Sequence, residues 1–236
     1  MLPLSDDIRT RRFPSVTLAL IVANVAVWLL YELPHLDTSI AHASFYPCTI
    51  NGTCSGPEPW AISWITSMFL HGSWGHILGN MLFLWVFGNN VEDAFGHVRY
   101  LLFYFAGGLA ATVTQTAMTL LVGSAADAQA PNLGASGAIA AVLGAYFVLY
   151  PSSRVRGLVG IFPVHLSAWF YLGFWFLYQL FEANFGLLGS SANGGGVAFF
   201  AHVGGFVFGV GFTYALVNRG RLDMTARRAA ALRGLT

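Results

Sequence analysis

Pro131-Asn132-Leu133-Gly134-Ala135-Ser136-Gly137-Ala138-Ile139-Ala140-Ala141-Val142-Leu143-Gly144-Ala145-Tyr146 begins as a polar turn and becomes an apolar helix only at Ser136. The apolar run ends at Tyr150. At about 1.5 Å per residue it falls short of the ~30 Å hydrocarbon core of a bilayer. The backbone from Pro131 to Gly134 therefore enters the membrane as loop. Irregular backbone at that depth is tolerated only where protein buries it or it lines a water cavity. A hydroxyl placed at such a helix start is available for chemistry.

The rest of the chain agrees with a membrane setting. Of 236 residues, 56% are hydrophobic and 9% charged, against roughly 25% charged in a soluble domain. No basic stripe with interleaved aromatics appears, so a nucleic-acid partner is not expected. Further apolar runs lie at about 16–33, 75–89, 98–122, 166–188 and 197–217. The first follows Arg9, Arg11 and Arg12. Its small-x-small candidate for cleavage, Ala41-His42-Ala43, lies well beyond the run, so it reads as an uncleaved anchor.

Six spans place all the basic charge on one side. The chain has no lysine, and its 11 basic residues are arginines. They precede span 1, join spans 2 and 3 (Arg99), join spans 4 and 5 (Arg154, Arg156), and follow span 6. That side is the cytoplasm by the positive-inside rule. The expected fold is an all-α six-helix integral membrane bundle with a short central helix 4 and a long interfacial loop between helices 1 and 2. A cytoplasmic segment at 1–15 precedes a membrane domain at 16–218, and an Arg-rich cytoplasmic tail follows at 219–236. The expected location is the cell (inner or plasma) membrane, multi-pass, with both termini inside. The loop at 34–74 faces out, and Trp60, Trp64 and Trp74 suit the membrane interface. Cys48 and Cys54 in that loop read as a local disulfide or as two free thiols. No second ligand pair flanks them for zinc, and no metal or cofactor is expected.

Depth brings four polar residues into one layer. Counted from cytoplasmic ends at Asn90, Tyr150 and Leu216, residues His76, Ser136 and His202 stand at equal heights in spans 2, 4 and 6. That height is about 21 Å from the inner surface and roughly 10 Å below the outer one. Asn80 shares a helix face with His76. Ala201, Gly205 and Gly209 form a small-residue stripe beside His202; Gly137, Ala141 and Ala145 form one beside Ser136. Stripes of this kind let helix backbones approach closely.

The chemistry that fits is acyl transfer, with His202 taking the Ser136 proton. The Ser136 backbone N–H, Gly134, Asn80 and His76 are the candidates for stabilising the oxyanion. No acidic third member is evident, so a Ser–His dyad is expected. Taken singly, each residue has a plainer reading: a packing serine, an interhelical hydrogen-bond pair, solvated histidines at His71, His97 and His165. Glu182 reads equally as a cavity or a solvent residue, and Gly194 to Gly196 as loop.

The motifs resemble those of the rhomboid intramembrane serine proteases of the compact six-helix type. Gly134-Ala135-Ser136-Gly137 resembles the nucleophile motif, and Ala201-His202 with Gly205 and Gly209 the general-base helix. His76-x-x-x-Asn80 resembles the oxyanion-side pair, and Glu92-Asp93-x-x-Gly96 the turn between helices 2 and 3. The resemblance implies that the partners are membrane proteins with a transmembrane segment, cut near its outer end. It also implies that span 5, with Trp169, Phe170, Tyr171, Phe174, Trp175, Phe176 and Tyr178, forms a side gate. One position departs from the pattern: Ala140 stands where many members carry an aromatic on the base histidine. The cysteine loop is also outside it.

Three rivals lack their signatures. An inactive client-binding relative would have lost Ser136 or His202. A transporter with a His76, His202 and Glu182 proton relay would favour internal repeats. A metalloprotease would carry His-Glu-x-x-His.

Overall fold

Helix 136–149 is apolar on every side, and a helix of that kind has to be wrapped by protein or lipid. In the computed structural model, which describes residues 2–57, 59–188, 199–220 and 222 (without the side chains of 182–188), it is wrapped by protein. Ala140, Ala141, Val142, Leu143, Ala145, Tyr146 and Leu149 are all fully buried. This helix is the post around which the others stand.

The elements follow in chain order. Strand β1 (Leu2–Asp6) leads into α1 (Ser15–Val27), which continues through a π turn to Glu32. The loop after it folds into α2 (Leu36–Ala43) and α3 (Trp60–Thr66). Then come α4 (Trp74–Phe83), a π turn and α5 (Asn89–Phe95). The long α6 (His97–Val122) and the single turn α7 (Ala125–Ala128) precede the central α8 (Ser136–Leu149). A hairpin of β2 (Arg154–Val159) and β3 (Phe162–Ser167) leads into α9 (Ala168–Leu188), and α10 (Phe199–Asn218) follows. Helix thus covers each of the six apolar runs. Among the described residues three stretches, Ser15–Glu32, His97–Val122 and Phe199–Asn218, are long and apolar enough to cross a membrane by themselves, and Ser136–Leu149 is shorter.

An all-α bundle is therefore incomplete as a description. Strand β2 pairs antiparallel with both β1 and β3, so the segment before residue 16 and the Arg154–Arg156 connection form one three-stranded sheet. Little along the chain signals this, because β1 is only five residues long and its partner lies about 150 residues away. Side chains fix the arm as well. Asp6 Oδ2 accepts from the Asn90 amide and the Tyr146 hydroxyl, each at 2.6 Å. Burial raises the Asp6 carboxyl to about 6, with the Tyr146 bond pulling the other way. Glu92 accepts from the N–H groups of Val16 and Thr17 at 2.9 and 2.7 Å, supplying the acidic N-terminal cap that α1 lacks in its own sequence. The Arg12 N–H donates to Asp93. The Glu92-Asp93 pair thus anchors the start of α1.

The loop between α1 and α4 is also folded. The Phe45 and Asn132 backbones exchange two hydrogen bonds, at 3.1 and 2.7 Å. Trp64 meets Phe45 edge-on and Trp60 at a tilt, with ring centroids 5.6 and 5.8 Å apart. Cys48 and Cys54 are joined, their Cα atoms 5.4 Å apart, and Cys48 is buried. Reduction of the purified protein is expected to raise its mass by about 2 Da with no intermolecular product. An unchanged mass would mean two free thiols. Residues 189–196, with Gly194 to Gly196, and the tail beyond 222 lie outside the described residues.

Candidate active site

Glycine contacts with two helices fix the height of α8. A Cβ on Gly205 of α10 would run into the carbonyl oxygen of Gly137, and one on Gly209 into that of Ala141. From α6, which packs against both α8 and α10, a Cβ on Gly107 would strike Ala141, while one on Gly137 would lie 2.6 Å from the Ala111 Cβ. The α8–α10 seam was legible as two small-residue stripes. The α6 seam was not, since its glycines are adjacent in the chain rather than spaced along a helix face.

These seams carry Ser136 and His202 to neighbouring helix ends. Ser136 is the first residue of α8, so its N–H and that of Gly137 have no partner within the helix. The Gly137 Cβ position lies 3.8 Å from Ala201 Cβ, one residue before His202. Both Ser136 and His202 are half-buried. Among the described residues no hydrogen bond joins Ser136 Oγ to His202. Ser136 lines a small cleft with Ser67, Met68, Gln115, Asn132 and Gly134.

Gly134 is the turn that lets the loop reach the helix. Its φ is +122°, which favours glycine, and a Cβ there would lie 2.8 Å from His76 Nε2. The same point is 3.5 Å from Ser136 Oγ, so the imidazole and the hydroxyl flank one glycine. Its N–H donates to Ser67 O at 2.8 Å, which holds the loop at this depth.

His76 has a defined tautomer. The Gly72 N–H donates to its Nδ1 at 3.3 Å, leaving the proton of a neutral ring on Nε2, the atom beside Gly134. One turn further along α4, Asn80 is buried and its Nδ2 has no partner. A buried amide without an acceptor costs on the order of 1–3 kcal/mol. It is therefore a donor available for an oxygen placed beside it in the site.

Two residues, His71 and Gln179, went unread or misread in the sequence. His71 is fully buried rather than solvated. Its N–H donates to Glu32 Oε1 at 2.7 Å, and its ring lies 5.0 Å from that of His76. Burial, with the His76 ring adding to it, lowers the His71 imidazole to about 3. His97 does read correctly as partly solvated, and it pairs with Glu92 at 2.6 Å. Gln179 of α9 was missed altogether, although a polar side chain in an apolar run is a functional candidate by default. Its Oε1 lies 2.7 Å from His202 Nδ1. Glu182, which reads equally as a cavity or a solvent residue, has its side chain outside the described residues.

Residues 58–219 match the rhomboid domain model. The chain belongs to the rhomboid family. It is 30% identical over 154 residues to the yeast (Saccharomyces cerevisiae) protein named rhomboid protein 1, mitochondrial, covering 63% of this chain and 40% of that one. It is 32% identical over 154 residues to the human presenilin-associated rhomboid-like protein, mitochondrial, covering 64% and 36%. It is 28% identical over 141 residues to rhomboid protease GluP of Bacillus subtilis, covering 60% and 26%. The match thus takes in less than half the length of each of these relatives. The rhomboid match begins within the folded loop and ends at α10, so it contains every residue of the candidate site but not strand β1. Within it the aromatic expected at Ala140 is supplied from elsewhere: the Trp175 ring of α9 lies 5.9 Å from that of His202.

Proposed function

We propose that this chain is an intramembrane serine endopeptidase that cuts the transmembrane segments of membrane-anchored proteins near their extracytoplasmic end. The observation that carries the proposal is the pairing around Gly134. The Ser136 hydroxyl lies on one side and the His76 Nε2–H on the other, with the unpartnered Asn80 amide one turn along the same helix. That is a nucleophile beside hydrogen-bond donors, at the half-buried start of a helix whose dipole favours negative charge. The name of one relative, a rhomboid protease, supports the same reaction class.

In this mechanism His202 Nε2 takes the Ser136 proton as Oγ bonds to the substrate carbonyl carbon. The carbonyl oxygen becomes an oxyanion, held by the Ser136 N–H, the Asn80 amide and His76 Nε2–H. Collapse expels the amine, which leaves with the proton from His202. Water entering through the cleft beside Ser136 then hydrolyses the acyl-enzyme by the same steps, and the serine is restored. Gly134 serves by leaving room for the carbonyl oxygen beside His76.

The membrane setting follows from the six helical segments and the arginines. We infer six spans with both termini on the arginine side, in the cytoplasmic orientation at the cell membrane. The folded loop lies along the outer interface, where Trp60, Ile62 and Trp74 are exposed. Substrate would enter sideways past α9, whose Phe170, Phe174 and Tyr178 are exposed.

A fluorophosphonate probe tests the site directly, since it needs an activated serine and leaves an oxyanion-like oxygen in the same pocket. The intact chain is expected to be labelled covalently. Labelling should vanish in Ser136→Ala and His202→Ala and slow by about tenfold or more in Asn80→Ala. Undiminished labelling of Ser136→Ala would remove the nucleophile from the proposal.

A further inference from the structure

Besides an edge-on contact with Phe199 of its own helix, at 6.5 Å between ring centroids, the His202 ring is held from a second helix. Its Nδ1 lies 2.7 Å from Oε1 of Gln179, a buried residue of α9. Four residues earlier on the same helix, Trp175 sets its ring 5.9 Å from the imidazole at 40°. Trp175 in turn packs on Phe206 of α10 and Phe83 of α4. Both of these contacts come from α9, and neither comes from α8, where Ala140 offers only a methyl group.

The chemistry of the bond is one-directional. A carboxamide oxygen only accepts, so the contact requires the imidazole proton on Nδ1. A neutral ring then carries its lone pair on Nε2, the nitrogen left to receive a hydroxyl proton. The other tautomer would offer Nε2–H and could not act as the base.

We propose that Gln179 is the positioning residue of His202: it selects the Nδ1–H tautomer and fixes the ring, in the place where a triad would put a carboxylate. This rests on the serine-protease reading above. A carboxamide suits the site because it orients the ring without burying a second charge among apolar helices, where an unpaired charge is costly. The bond and the ring contact both depend on α9 staying against α10. Displacing α9 therefore releases the base, so the position of α9 and the competence of His202 are linked.

The test uses the full chain reconstituted with a membrane-anchored reporter, with kcat and KM measured across about pH 5–9. Gln179→Leu is expected to lose about tenfold or more in kcat with KM little changed. Gln179→Glu restores an acceptor and is expected to recover most of that loss. It should also move the acid limb of the pH profile upward, because a carboxylate beside the ring favours the imidazolium. A wild-type kcat in Gln179→Leu overturns the proposal. So does a Gln179→Glu profile with its acid limb unmoved, which decides the matter even if the leucine variant does not fold. Ser136→Ala in the same assay separates the two ideas: turnover there would overturn the serine reading, whereas a Ser136-dependent enzyme indifferent to Gln179→Leu would overturn only this one.

Discussion

Ser136→Ala is expected to abolish cleavage of a reconstituted membrane-anchored reporter while leaving the fold intact. The loss should be at least about a thousandfold, as befits removal of a nucleophile whose partners act with it as a unit. Little stability is at stake. Ser136 is half-buried, and its Oγ makes no hydrogen bond to the described residues. The neighbouring glycine and alanine contacts along α8 involve backbone and methyl groups, which the substitution leaves alone. The measurement is turnover of the reporter, with the melting temperature of the same preparation as the check on folding. Normal turnover by a well-folded Ser136→Ala protein would end the mechanism. A protein that no longer folds would instead show that the hydroxyl is structural. His202→Ala should match it in activity, since neither residue works without the other.

The second large effect is on stability. Gly205→Val is expected to prevent α10 from seating on α8, because even the first carbon of a side chain would collide with the Gly137 carbonyl oxygen. The neighbour here is helix backbone, which cannot turn aside as a flexible side chain would. Overpacking of well-packed interiors costs roughly 1–3 kcal/mol and occasionally more. At a backbone-to-backbone seam the upper end applies, and it should appear as a fall in melting temperature of roughly 10 °C. Gly205→Ala should show a smaller fall in the same direction. Gly211 provides the control on the same helix, since nothing lies within 4 Å of a Cβ there. Gly211→Ala should therefore melt like the parent. If Gly205→Ala melts with Gly211→Ala, the seam is looser than its geometry indicates, and Ser136 and His202 lose their shared reference height.

What could be read before folding was whatever repeats along a helix. The apolar runs, the one-sided arginines and the small-residue stripes at every fourth position are local regularities. Each follows from the bilayer and from 3.6 residues per turn. They marked the helices and the residues at their shared depth. The α6 seam, the β1–β2 pairing and the burial of His71 were not legible, because each depends on a partner far along the chain. Strand β1 shows the point: five residues become a strand only because β2 offers them an edge.

The sequence by itself marked the six apolar runs, their order, and a serine, two histidines and an asparagine counted to similar heights on three of them. It could do so because depth in a membrane is counted along each helix separately. Only the tertiary structure decided which side chains complete the arrangement. The His76 tautomer is set by a loop N–H, the space beside it by Gly134, and the hold on His202 by Gln179 and Trp175 of α9. Those are angular relations between helices, fixed by how backbones pack, and no count along a single helix contains them.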